Sequence, residues 1–175
     1  LHELGHAVMH AAMRAAGAGG PHKIDDCYGP ALAWSEGWAT FFAAAVHLEP
    51  SDPDARFEFL VPRRAPIRLE NVPEDVCRGQ ANEWRVAAAL WDLYDSHPDG
   101  ADASSLPLGR LWTAWEGQRM GSLADYLKRL APKLSPSERA AADASLRQNT
   151  MDEAVPPGGN LASRLPLSAP RFDPR

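Results

Sequence analysis

Two histidines four residues apart, set in a run of strong helix formers, constrain this chain more than any other feature. Leu1-His2-Glu3-Leu4-Gly5-His6 leads into Ala7-Val8-Met9-His10-Ala11-Ala12-Met13-Arg14-Ala15-Ala16 without a proline. On a helix, positions i and i+4 lie one above the other, so two imidazoles can share one metal ion while Glu3 projects beside them. A random shuffle containing 6 histidines would produce this H-E-x-x-H pattern only about 0.01 times, so coincidence explains it poorly. The competing structural reading is a pair of surface histidines on an amphipathic helix.

A second helical run, Trp34-Ser35-Glu36-Gly37-Trp38-Ala39-Thr40-Phe41-Phe42-Ala43, begins after a break at Gly17-Ala18-Gly19-Gly20-Pro21. Together the two runs resemble the gluzincins, zinc hydrolases whose third ligand is a glutamate on a later helix, in an E-G-x-A-like or N-E-x-x-S-D-like context. The resemblance implies Glu36 as that ligand, 30 residues beyond His6. The implied set of His2, His6 and Glu36 leaves one position open on a tetrahedral zinc, as catalytic sites do. Glu3 is then the general base, taking a proton from the activated water and returning it to the leaving amine.

Other zinc patterns fail on particular residues. A metzincin requires a glycine and a third histidine where this chain has Met9 and Ala12. His10 continues the stripe of His2 and His6, but each four-residue step climbs about 6 Å, too far for three helical histidines on one ion. A packing or supporting role for His10 is the better expectation.

Composition bounds the remaining classes. The 175 residues suffice for one domain with its own core. A net charge of −5 and no basic cluster argue against a nucleic-acid partner. No apolar run reaches the roughly 18 residues of a membrane span. Cys27 and Cys77 either form one disulfide, which would suit a secreted protease, or stand as separate buried thiols; neither belongs to a C-x-x-C pair. With no N-cap residue ahead of His2, the expectation is a C-terminal portion of a larger protein, cut just upstream of the zinc helix. In thermolysin-like gluzincins a sheet precedes that helix and holds extended substrate.

Taken in order, residues 1–17 and 31–48 read as helices, the second with Trp34, Trp38, Phe41, Phe42 and Val46 on a buried face. Between them lies a polar loop holding His22, Asp25, Asp26 and Tyr28, with Tyr28 a candidate oxyanion stabiliser beside an ordinary loop role. Thr40 stands one turn after Glu36, where thermolysin-like and fungalysin-like sequences commonly place an aspartate that orients a zinc histidine; threonine offers an acceptor without charge. Residues 49–79 are proline-rich, with Arg56-Phe57-Glu58-Phe59-Leu60 and Ile67-Arg68-Leu69 able to pair as a small hairpin. Arg63-Arg64 reads as solvated loop.

Gln80 to Tyr94 reads as a third helix with Val86, Ala89, Leu90 and Leu93 on its apolar face, and resembles the fungalysin helix beginning G-E-x-W-A. Glu83 either stabilises the helix dipole or reaches the site. Fungalysin-like sequences carry a transition-state histidine shortly before that glutamate; Gly79 stands here, leaving Arg78 as the nearest donor to an oxyanion. Asp95-Ser96-His97-Pro98-Asp99-Gly100-Ala101-Asp102 has calcium-loop spacing, but Leu106 replaces the glutamate of an EF-hand, so a solvated turn is favoured over a structural Ca2+ site. Helical stretches follow at 108–115, 122–130 and 137–142, with Ser122 and Ser137 as caps and Pro136 just outside the last.

The combined reading is a mainly α fold with at most a small β-hairpin: a helical zinc-site subdomain over 1–150 and a tail over 151–175. It implies a secreted gluzincin-type zinc metallopeptidase nearest to the fungalysin and thermolysin-like group, acting on peptides or proteins. The alternatives are a catalytically inactive helical module and a zinc hydrolase of a non-peptide amide. Specificity, endo- or exopeptidase action and oligomeric state leave no signature in the sequence.

Overall fold

Alanine-, leucine- and tryptophan-rich stretches punctuated by proline and glycine fold into helices of ordinary length. A computed structural model describes residues 1–13, 19–57 and 66–153. Among these residues six α-helices run in chain order: α1 (His2–Met13), α2 (Pro30–His47), α3 (Glu83–Tyr94), α4 (Leu108–Trp115), α5 (Leu123–Leu130) and α6 (Pro136–Gln148). A two-stranded antiparallel hairpin, β1 (Arg56–Phe57) and β2 (Ile67–Arg68), is the sheet among the described residues. The chain is therefore mainly α, as its pattern implies.

α2 is the central element, packed against α1 on one side and α3 on another. Being covered on several sides, it is buried continuously from Ala33 to Phe41, polar Ser35, Glu36 and Thr40 included. Two glycines set the spacing. A Cβ on Gly5 would meet the Ala39 Cα at 2.9 Å, and one on Gly37 would meet both the Glu83 carbonyl oxygen and Val86 at 2.7 Å. Without side chains at these points, three backbones come together near the ends that carry His2, Glu36 and Glu83.

The core is aromatic. Trp38 meets Trp115 edge-on at 5.5 Å, Trp34 stacks on Tyr126 at 5.6 Å, and Phe41 lies against Trp115 at 5.9 Å, tying α2 to α4 and α5. Val86, Ala89, Leu90 and Leu93 are fully buried on α3, as its periodicity requires. Val46 is not: at 56 % exposure it lies on the last turn of α2, beyond the reach of the packed helices.

Local chemistry adjusts several boundaries. α3 starts at Glu83 because Asn82 is extended and caps it, accepting from the Arg85 amide at 2.9 Å; Gly79–Ala81 form a separate 3-10 turn. α6 starts at Pro136, with Ser135 as cap in a reciprocal pair with Glu138. Proline suits the first helical position, where no amide proton is needed, so Ser135 caps the helix and Ser137 lies inside it. In the hairpin Arg56 sits opposite Arg68, and Asp54 bridges both guanidinium groups. Beyond α6, Met151 is buried and Glu153 pairs with Arg78. Arg14–Gly17 of the expected first helix, Glu58–Leu60 of the hairpin, Arg63-Arg64 and the stretch from 154 onward lie outside the described residues.

The Gly37 contact yields a specific expectation. Gly37→Ala places a methyl group against backbone and a β-branched neighbour, so denaturant unfolding of the variant should show a loss of roughly 1–3 kcal/mol. An unchanged midpoint would mean that α2 and α3 separate without penalty.

Candidate metal centre

The crossing of α1 and α2 at Gly5 and Ala39 sets two imidazoles over one buried carboxylate. His2 Nε2 lies 3.1 Å and His6 Nε2 3.2 Å from Glu36 Oε2, and the two nitrogens are 3.2 Å apart. A tetrahedral zinc with bonds of about 2.0–2.2 Å spaces its ligand atoms about 3.3–3.6 Å apart, so this triangle needs an expansion of only a few tenths of an ångström. The chemistry of the set fits as well. A proton can satisfy one edge between three lone-pair atoms; a divalent cation satisfies all of them.

α2 also orients the rings. Thr40 Oγ1 lies 3.1 Å from His2 Nδ1, in place to accept its proton in the tautomer whose Nε2 lone pair can bind a metal beside Glu36. Ser35 Oγ lies 3.5 Å from His6 Nδ1 and plays the corresponding part for the second ring. Threonine thus occupies the geometric place of the aspartate named above without its charge. Ser35 escaped the sequence reading, although its place next to Glu36 was the available signal. Burial opposes ionisation of Glu36, but the hydrogen bond from His2 and the fields of His22, His6 and His2 outweigh it, lowering its pKa.

Two further groups reach the same carboxylate from outside α1. His22 donates from Nδ1 to the Gly20 carbonyl at 3.0 Å, and its Nε2 lies 3.5 Å from Glu36 Oε2 and 3.6 Å from Glu83 Oε2. Burial pulls the His22 pKa down, but the Gly20 carbonyl and the carboxylates of Glu83, Glu36 and Glu3 outweigh it, and the net shift is upward. Glu83 is buried at the first position of α3; desolvation, joined by Glu36, pushes its pKa up to about 7 against the pull of His22 and His2. Glu83 therefore both opens its helix and faces the site. His22 was visible in the sequence only as a polar loop residue.

The other candidates separate cleanly. Glu3 is exposed on α1, close enough for its charge to act on His22. His10 is exposed and takes no part in the cluster, so it neither packs nor supports. Tyr28 sits edge-on to His22 with ring centres 6.2 Å apart, and its hydroxyl accepts from the Lys23 amide. Burial raises its pKa to about 12, which keeps it a neutral phenol. Arg78 is turned elsewhere: it makes a two-point ion pair with Glu153 at 2.7 and 2.5 Å, which removes it as an oxyanion donor.

A family description, the mycolysin C-terminal domain, matches residues 1–150. The chain belongs to that family. Comparison with curated proteins and with solved structures returns no match. Membership points to a mycolysin- and fungalysin-like peptidase family; the description names a C-terminal domain and assigns no catalytic or metal role to any residue. None of the described helices is long and apolar enough to cross a membrane.

In this mycolysin-type domain the loop bearing His22 is clamped to the approach of α3. Cys27 and Cys77 form a disulfide, which decides between the two states left open by the sequence. Cys77 N donates to the Asp25 carbonyl at 3.1 Å and Tyr28 N to the Ala81 carbonyl at 2.6 Å, while the buried Asn82 amide donates to both Ile24 and Asp26 at 2.9 Å. The loop closed by the bond spans 50 residues, for which restriction of the unfolded chain contributes about 4 kcal/mol. Replacing both cysteines with serine should lower unfolding stability by up to that amount; an unchanged value would show that the loop is held without the bond.

Proposed function

We propose that residues 1–150 are the helical zinc-site subdomain of a secreted zinc metallopeptidase that hydrolyses peptide bonds. The convergence of His2 Nε2, His6 Nε2 and Glu36 Oε2 within 3.2 Å of one another carries the reading. A zinc ion held there would supply a water acidified towards neutral pH and Lewis-acid polarisation of a carbonyl.

The protein's own groups then have defined work. Glu3, exposed on the same helix as both histidines, accepts the proton of the attacking water and delivers it to the departing amine. Thr40 and Ser35 hold the ring tautomers that aim both Nε2 lone pairs inward. His22, on the rim of the cluster, donates to the oxygen on which negative charge develops, the part for which Arg78 is out of position. Buried Glu83 keeps the His22 ring facing the cluster.

A non-catalytic module is the second reading, favoured by one observation: the matched family is named for a C-terminal domain. The two readings share a metal and part over hydrolysis. Elemental analysis of the purified chain should find one equivalent of zinc, abolished by Glu36→Gln. Thr40→Val should weaken zinc binding by about 10- to 100-fold, by loss of the acceptor on His2. Chelator-sensitive peptide hydrolysis should vanish in Glu3→Gln with zinc retained, and fall about 10²- to 10³-fold in His22→Gln. Stoichiometric zinc without cleavage of any peptide would favour the non-catalytic module, and no zinc at all would refute both.

A further inference from the structure

At the far end of α3, about 14 Å along the axis from Glu83, four aspartates gather. Asp92 lies on α3, Asp95 caps its C-terminus, and Asp99 and Asp102 come from the loop that follows. The loop turns in solvent at Gly100 and Ala101, as its sequence suggests, but two of its carboxylates are withdrawn: Asp95 and Asp102, with Asp92 of α3, are 0 %, 4 % and 1 % exposed. One oxygen each from Asp92, Asp99 and Asp102 lies within 4.8 Å of the others. Oxygens sharing one calcium ion are up to about 5 Å apart, given bonds of 2.3–2.6 Å.

Two carboxylate oxygens accept from no donor. Asp92 Oδ1 and Asp95 Oδ1 are fully buried and lack a hydrogen-bond partner, although each belongs to a side chain at least 99 % buried. Their sister oxygens are satisfied by neutral donors: Asn149 Nδ2 to Asp92 Oδ2 at 2.6 Å, and the His97 amide to Asp95 Oδ2 at 3.1 Å. Asp102 Oδ1 accepts from the Ser104 amide and the Ser145 hydroxyl, and Asp99 Oδ1 from Gln148 Nε2 at 2.8 Å. These bonds leave Asp92 Oδ1 without a donor in the cluster of Asp92, Asp99 and Asp102, while the Asp95 carboxyl lies against that of Asp102. Glu70 adds a fourth buried carboxylate nearby, held by Trp91 Nε1 at 2.8 Å. Among the described residues no lysine or arginine pairs with any of the five.

Isolated buried carboxylates are strongly unfavourable, so such a group must bind protons or a metal. We propose that Asp92, Asp99 and Asp102, with the Asp95 carboxyl beside them, form a structural site for one calcium ion, for which the first three supply the ligand oxygens and which locks α3, the 95–107 loop and α6 together. An all-oxygen, carboxylate-rich and irregular donor set is what this hard cation takes, whereas magnesium demands a stricter octahedron. Burial raises the pKa of Asp92, Asp95 and Asp102, to about 8 for Asp95, which is how the cluster is accommodated when no ion is bound.

The proposal is independent of the zinc reading, and one titration separates them. Chelator-treated full chain is titrated with CaCl2, followed by calorimetry and by thermal unfolding, and with Tb3+ followed by luminescence excited through tryptophan, for which Trp91 is the neighbour. The expected result is one equivalent of calcium, a melting midpoint that rises with its concentration, and Tb3+ emission that calcium quenches. Asp99→Asn, at a half-buried position that tolerates the change, should weaken calcium binding roughly tenfold or more, and His6→Ala should leave it unaltered. Absence of binding at millimolar calcium would show that protons alone satisfy the cluster and would overturn the proposal. So would a calcium response that survives in both Asp99→Asn and Asp102→Asn, or one abolished by His6→Ala.

Discussion

Everything at the candidate metal centre depends on how closely α1 approaches α2. A side chain on Gly5 would collide with the Ala39 backbone, and the absence of one lets His2 and His6 descend onto Glu36. Glycine between two histidines of a helix is a poor choice for helix propensity, at about 1 kcal/mol relative to alanine. Here it exchanges local stability for a backbone contact that no other residue permits. Gly37 repeats the arrangement towards α3 and admits Glu83 to the same cluster.

α2 supplies more than a carboxylate. Ser35, Glu36 and Thr40 occupy successive places on its inward face, so one rigid element provides the anion and both ring-orienting hydroxyls. Rotation of this helix would disturb all three at once, which is why its burial by tryptophans on α2 and α4 matters to the chemistry and not only to stability. The loop between α1 and α2 contributes His22 by a different principle: its backbone is fastened to residues 77–82 by a disulfide and by the two hydrogen bonds that Asn82 Nδ2 donates to Ile24 and Asp26.

The helices were legible because their apolar positions repeat with helical period and because Pro30, Ser122 and the Pro136 region punctuate them. His2 and His6 were legible through their four-residue spacing, and Glu36 through the resemblance of its helical run to the gluzincin pattern, neither of which needs knowledge of loops. His22 was not, because its position follows from a 50-residue disulfide span and a buried asparagine, contacts that carry no local periodicity. Asp95 and Asp102 misled for a related reason. A run of Asp, Ser, Pro and Gly reads as solvated turn until α6 brings Ser145 to Asp102 and Gln148 to Asp99.

Zinc K-edge X-ray absorption on the metal-loaded chain tests the central claim most directly, because it reads the atoms around the ion and not a consequence of them. Two imidazole nitrogens and one carboxylate oxygen at about 2.0–2.2 Å, with a fourth light atom, are expected, and the imidazole scattering should halve in His6→Ala. A shell of oxygens alone, or imidazole scattering unchanged by that substitution, would contradict the account.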